Sequence, residues 1–312
     1  VITSIAVIAL LVFAIGLIPH FDYNNLFDIA VNEQAVGGSS FLPQGYVGIW
    51  SAIPFAIWLF LAIEGVPLAA EETANPGKDM PKGIITAMVI LLIFAGVVLV
   101  LAPGVAGSEL MKDHGAPLVG ALQVAYGENS AIATFVNVVG LFGLTASFFS
   151  IIFAYSRQVF ALSRAGYLPR FLSVTGSRKV PTWSLIIPGI IGFGLSSTGQ
   201  GDLMITMAVF GATISYALMM LSHILLRIRE PELERPFRTP GGVFTTGVAL
   251  LLSLVAFAST FVVRLESALW AGVFYAVLLA YFVLYSRHHL VAKSPDEEFA
   301  LITGAENELN LD

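Results

Sequence analysis

Cysteine is missing from the chain altogether, and charge is scarce. With no cysteine in 312 residues, disulfides, thiolate metal sites and cysteine nucleophiles are excluded. Charged residues make up only 12% against 57% hydrophobic, which is too apolar for an ordinary soluble domain and marks a membrane protein. Basic surface is also lacking. Much of the net charge of -6 comes from the tail, where Lys293 stands against Asp296, Glu297, Glu298, Glu306, Glu308 and Asp312, so no nucleic-acid partner is expected. His20, His114, His288 and His289 fall in loops or at interfaces, and His223 near the end of a span. No metal-ligand spacing, P-loop or buried Ser/His/Asp set is readable, and the sequence calls for no cofactor. The opening VITSIAVIALLVFAIGLIP has no initiator Met, charged n-region or cleavage site. It reads as the edge of a span with an N-terminal part missing before it.

Long apolar runs are abundant. A span needs about 20 such residues, and the sequence divides into eight runs, at 1–19, 47–72, 83–103, 131–156, 181–199, 203–226, 242–263 and 267–286, separated by polar connections. Of the 15 Lys and Arg, all but Lys112 and Arg264 fall in alternate connections. The positive-inside bias therefore places those connections and the acidic tail, 287–312, in the cytoplasm. Segments 20–46 and 104–130 become external loops, and APLVGALQVAYG within the second is either a short helix lying on the surface or plain loop.

The run WLFLAIEGVPLAAEE, starting at Trp58, places three helix-damaging residues together. A carboxylate at membrane depth is costly unless it faces protein or water, which makes Glu64 a functional candidate. Gly65 frees the backbone, and Pro67 cannot continue a helix but suits the first turn of a new one. The expected structure is two half-helices, 48–61 and 66–72, with 62–65 unwound. The carbonyls of Trp58, Leu59, Phe60 and Leu61 would then lack partners and carry the negative end of the helix dipole, attracting a cation such as an ammonium group. Glu64 would add charge, titrate a proton or hold the unwound strand, and Trp58 would offer a cation–π wall. Discontinuous helices near the midplane are where secondary transporters bind substrates and ions. The plainer alternative is a Pro-kinked helix whose Glu64 only bonds a neighbour.

Gly140, Gly143, Ser147, Ser150 and Ala154 recur at spacings of three and four. They form one small-residue face that serves close helix packing or lines a cavity. Ser147 and Ser150 offer hydroxyls for either role. The following RQVFALSRAGYLPRF is a basic amphipathic stretch suited to lipid head groups. Thr213, Ser215 and Tyr216 are further, unspecific contacts.

The run PFAIWLFLAIEGVPLAAEETANPGKDMPKGI resembles the sixth transmembrane segment and following loop of the amino acid–polyamine–organocation (APC) transporters, and SRQVFALSRAGYLPRF resembles the end of their eighth. Finer features, AIEGVPLAAEE, VFGATISYALMMLSHILLRIREPELERPFRTPGG and YSRHHLV, look like the ethanolamine permease branch. The resemblance implies an all-α membrane protein of the LeuT-type inverted-repeat fold, truncated at its N-terminus, with about eight spans equivalent to helices five to twelve of twelve. Residues 1–19 would be the last helix of the first repeat, 47–228 the second five-helix repeat and 242–286 two peripheral helices. By position, Trp58 and the backbone of Leu61, Ala62 and Ile63 would bind the substrate ammonium. Glu64 would be the gating or proton-linked acid, and Ser147 would face the site. The chain has Ala62 where many relatives have Gly, and no Lys in its first span, which leaves proton coupling, sodium coupling and exchange all open.

The implied function is secondary transport of a small primary amine across the cell membrane, ethanolamine ahead of an amino acid or polyamine taken up or exchanged. A channel or non-transporting subunit is the reading from another class. An intramembrane enzyme would need paired acids, a metal cluster or an activated nucleophile in the spans, and Glu64 is the only deep acid.

Overall fold

The computed structural model describes residues 2–61, 63–112, 114–176, 180–233, 235–263 and 265–291, and among them every regular element is helical. The helices are α1 (Ile2–Leu17), α2 (Gly45–Trp58), α3 (Pro76–Ala106), α4 (Ser108–Met111), α5 (Pro117–Tyr126), α6 (Ala131–Arg164), α7 (Thr182–Ser196), α8 (Gly201–Arg229), α9 (Gly242–Val263) and α10 (Leu265–Leu284). Five of them, α3, α6, α8, α9 and α10, are long and apolar enough to cross a membrane, while α1, α2 and α7 are shorter apolar helices. Every apolar run of the sequence thus holds a helix, and the long ones overshoot it: α3 has 31 residues and α6 has 34, against about 20 needed to cross a bilayer. Leu92, Ile93 and Leu99 of α3 and Leu141, Leu144 and Phe149 of α6 are exposed, as suits helices whose solvent is hydrocarbon.

Ala62, the Glu64 side chain, Arg178, Lys179, Arg264 and the acidic tail from residue 292 lie outside what is described. The chain divides into a first compact unit, residues up to Phe149 with Asp202–Ala268, and a second, Ser150–Gly201 with residues from Leu269 onward.

The core of the first unit follows from spacing. Ala9, Phe13 and Leu17 recur every four residues, so one stripe of α1 is buried. Phe13 and Leu17 meet Ala102 and Val105 of α3, Ala121 and Leu122 of α5, and Ala133 and Val136 of α6. APLVGALQVAYG is therefore a helix, but not one lying on the surface. Its apolar face, Gly120 to Leu122, fills the core, and Tyr126 donates from its hydroxyl to the Gly16 carbonyl at 2.7 Å.

The segment between α1 and α2 is tied to the end of α3. The Asp22 amide donates to the Gly104 carbonyl at 2.8 Å, the Asn25 amide group reaches the Gly104 and Val105 carbonyls, and Asp28 accepts from the amides of Ser108 and Glu109. On α8 and α9, Phe210, Phe257 and Phe261 form an aromatic cluster with centroids 4.9 to 5.8 Å apart. The buried hydroxyls beside it bond back to their own helices: Thr213 to Phe210, Ser259 to Ala256 and Thr260 to Phe257. Such groups then need no partner from elsewhere.

The second unit is stitched through the connection after α6. Ser163 donates to the Pro169 carbonyl, Ser184 to Leu172 and Ser286 to Tyr167, at 2.6 to 2.7 Å, and Tyr167 stacks on Phe282. Arg157 lies over Phe153 and Arg164 over Phe160, so these two arginines of the basic stretch cover their own helix.

Candidate functional site

The chain does break close before Glu64, but at 59–61 rather than across the expected 62–65. Helix α2 ends at Trp58, residues 59–61 form turns, and a 3-10 helix occupies Ile63–Glu72. The reason lies on both sides. Pro54, buried within α2, removes a ladder donor one turn before the end, and Pro67 removes another inside the 3-10 segment. The ladder tightens accordingly: the Phe60 amide donates to Ile57 at 2.9 Å and the Leu61 amide to Trp58 at 3.3 Å. A 3-10 run of ten residues is well beyond the three or four at which such runs usually stop, and stretches of this kind mark hinges or strain.

The two halves lean on different partners. α2 packs along α9, whereas the 3-10 segment packs on α3. The chain therefore changes support, as well as hydrogen-bond pattern, at the break.

One expectation needs correcting. The Trp58 carbonyl is engaged by Leu61, so it is not among the free ones. The carbonyls of Leu59, Phe60 and Leu61 accept no hydrogen bond among the described residues, and these three lie just past the negative end of α2. Trp58 is half-exposed at 44% beside them, and Leu61 and Ile63 are half-buried. Ala62 and the Glu64 side chain fall outside the description. Ser147 is exposed on α6, a helix that does not pack closely on α2 or on the 3-10 segment. The described packing thus brings Trp58, Leu61 and Ile63 together through the chain itself and leaves Ser147 apart from them.

Among the weaker candidates, Thr213 is fully buried and bonded within α8, which makes it a packing residue, while Ser215 is exposed. Gly65 has an ordinary φ and nothing within 4 Å of where a Cβ would stand, so the turn itself does not require glycine there. Among the described residues no three His, Asp or Glu come together to hold a metal ion. Leu59 and Phe60 offer only their carbonyls here, so side-chain type gives no signal for them. What locates them is the position of the last helical turn, set by Pro54 as much as by Pro67.

The family described as Amino acid permease matches residues 1–284. The chain is 31% identical over 252 residues to the Branched-chain amino acid permease BcaP of Bacillus subtilis, covering 80% of this chain and 53% of that protein. It is 28% identical over 255 residues to the Methylthioribose transporter of the same organism, with coverage of 80% and 53%. To the Aromatic amino acid transport protein AroP of Escherichia coli it is 24% identical over 271 residues, covering 82% and 56%. The chain spans about half the length of these curated relatives. They are transporters rather than enzymes, and their likeness covers 80 to 82% of this chain. With a match over 284 residues, this chain belongs to the amino acid permease family, a family of multi-pass membrane transporters with the LeuT-type fold.

Proposed function

We propose that the protein is a secondary transporter of a small primary amine, with the substrate ammonium held at the break in α2. The observation that carries this reading is the set of three carbonyls, Leu59, Phe60 and Leu61, that accept no hydrogen bond among the described residues. An ammonium group carries three donors and a positive charge, and so matches three acceptors at the negative end of a helix. Trp58 flanks them as an aromatic wall, and Glu64 supplies the gating or proton-linked carboxylate. Ser147 is a contact from a further helix that the transport cycle would have to bring closer.

Ethanolamine is the first candidate substrate, on the motif resemblance of AIEGVPLAAEE and the α8 to α9 connection. It has a cation and no carboxylate, and so asks for no second charged subsite. The likeness to a branched-chain amino acid permease favours a second reading, a neutral amino acid whose carboxylate is bound elsewhere. Uptake of labelled ethanolamine into proteoliposomes, competed by unlabelled ethanolamine, leucine and lysine across a pH series, decides between them. Ethanolamine competing best supports the first; leucine competing best replaces it with the second. In either case Glu64→Gln should lower uptake by about tenfold or more, as for a lost charge-assisted contact. Unchanged uptake and pH profile in that variant remove Glu64 from the mechanism.

A further inference from the structure

A cavity of about 400 Å3 opens between the N-terminal turn of α3, the C-terminal turn of α8 and the connection leading to α9, and the transport reading makes no use of it. His223, Leu226 and Arg227 line it from α8, Met80 from α3, and Arg235 and Phe237 from the connection.

The hydrogen bonds around it order its polar side chains. The Arg227 Nε–H can only donate, and it points at His223 Nε2 at 3.4 Å, so that nitrogen is the unprotonated one. With Nε2 accepting, Nδ1 is left to donate to Thr246 Oγ1 at 3.0 Å, and the threonine hydroxyl donates in turn to the Gly242 carbonyl at 3.0 Å. This chain of donors orients the Arg227 guanidinium. Arg235 is committed differently, giving its amino groups to the carbonyls of Leu226, Glu230, Pro231 and Leu233 at 2.6 to 3.3 Å. It caps α8 and adds a fixed positive charge. The terminal amino groups of Arg227 are left without a hydrogen bond among the described residues. Among the described residues the lining includes no acid.

An oriented guanidinium beside an apolar trough, at the ends of two helices long enough to span a bilayer, matches one kind of molecule. It needs a phosphate for the arginine, hydrocarbon for Met80, Leu226 and Phe237, and access from the membrane boundary. We propose that this cavity binds an anionic phospholipid, its phosphate on Arg227 and its acyl chain along the trough.

The test is native mass spectrometry of the purified protein released from nanodiscs of mixed phosphatidylglycerol and phosphatidylcholine, with Arg227→Gln and Arg229→Gln as variants. Arg229 is exposed at the same helix end and does not line the cavity. Phosphatidylglycerol should be retained over phosphatidylcholine, and Arg227→Gln should lower that retention about tenfold while Arg229→Gln leaves it unchanged. Equal retention of both lipids, or full retention in Arg227→Gln, overturns the proposal, as does displacement of the lipid by inorganic phosphate alone. If Arg227→Gln does not fold, Met80→Trp fills the trough and keeps both cations, and undiminished retention in that variant overturns the proposal equally. None of these readouts depends on uptake, so the lipid site and the transport reading stand or fall separately.

Discussion

At the scale of single residues, two glycines of similar appearance in the sequence do opposite things. Gly166 has φ +88°, and a Cβ there would meet the His289 carbonyl oxygen well inside contact distance. The close approach serves a backbone bond, from the Val291 amide to the Ala165 carbonyl at 3.1 Å. Gly166→Ala should therefore destabilise the protein by roughly 2 kcal/mol or more, from left-handed strain plus the clash, visible as a drop of several degrees in thermal unfolding. Gly65 sits beside the most functional-looking acid but has an ordinary φ and open space around it. Gly65→Ala should leave the unfolding temperature unchanged or slightly raised, since alanine costs less backbone entropy. A large loss of stability there would mean that the break requires glycine after all. Residue type alone does not separate the two cases, because what decides them is the backbone conformation and the neighbour across the gap.

At the scale of elements, helix ends are finished by side chains from elsewhere in the chain. Asp28 lies about 80 residues before the Ser108 and Glu109 amides it accepts from, and Gly107, with φ +88°, leaves room for it because a Cβ would collide with the carboxylate. Asp28→Ala should cost ~1 kcal/mol, as for the loss of a cap, and Asp28→Asn should recover part of it, both read from thermal unfolding. Identical unfolding in all three proteins would mean that the segment between α1 and α2 is held by the Gly104 contacts alone. The break in α2 belongs to the same scale. Its existence was legible in Glu64, Gly65 and Pro67, but its position was not, because the influence of Pro54 on the last turn depends on the whole helix being seen at once. The helix in APLVGALQVAYG was legible as a possibility, and its burial against Phe13 and Leu17 was not, since that needs the partner stripe on α1.

At the scale of the whole molecule, the distribution of lysine and arginine predicts how the chain is ordered across a bilayer. α3 is a 31-residue apolar helix with Lys78 in its first turn and Lys112 following the short α4 at its other end. The protein has no native cysteine, so single variants Lys78→Cys and Lys112→Cys can be labelled cleanly with a membrane-impermeant thiol reagent in intact cells. Lys112→Cys should react from outside and Lys78→Cys only after permeabilisation. Labelling of both from one side would show that α3 does not cross, and the reverse pattern would invert the assignment of sides.

The sequence by itself determined the class of the protein, the helical runs, the presence of a break at Glu64 and the family, because these rest on composition and on local pattern. In a bilayer the backbone has only helices available to such runs, and apolar length is therefore nearly sufficient to place them. Only the tertiary structure decided which carbonyls at the break accept no hydrogen bond among the described residues, which face of α5 is buried, and that His223, Arg227 and Arg235 surround one cavity. Each of these depends on residues far apart in the chain arriving within hydrogen-bond or van der Waals reach, and no periodicity in a single segment carries that information.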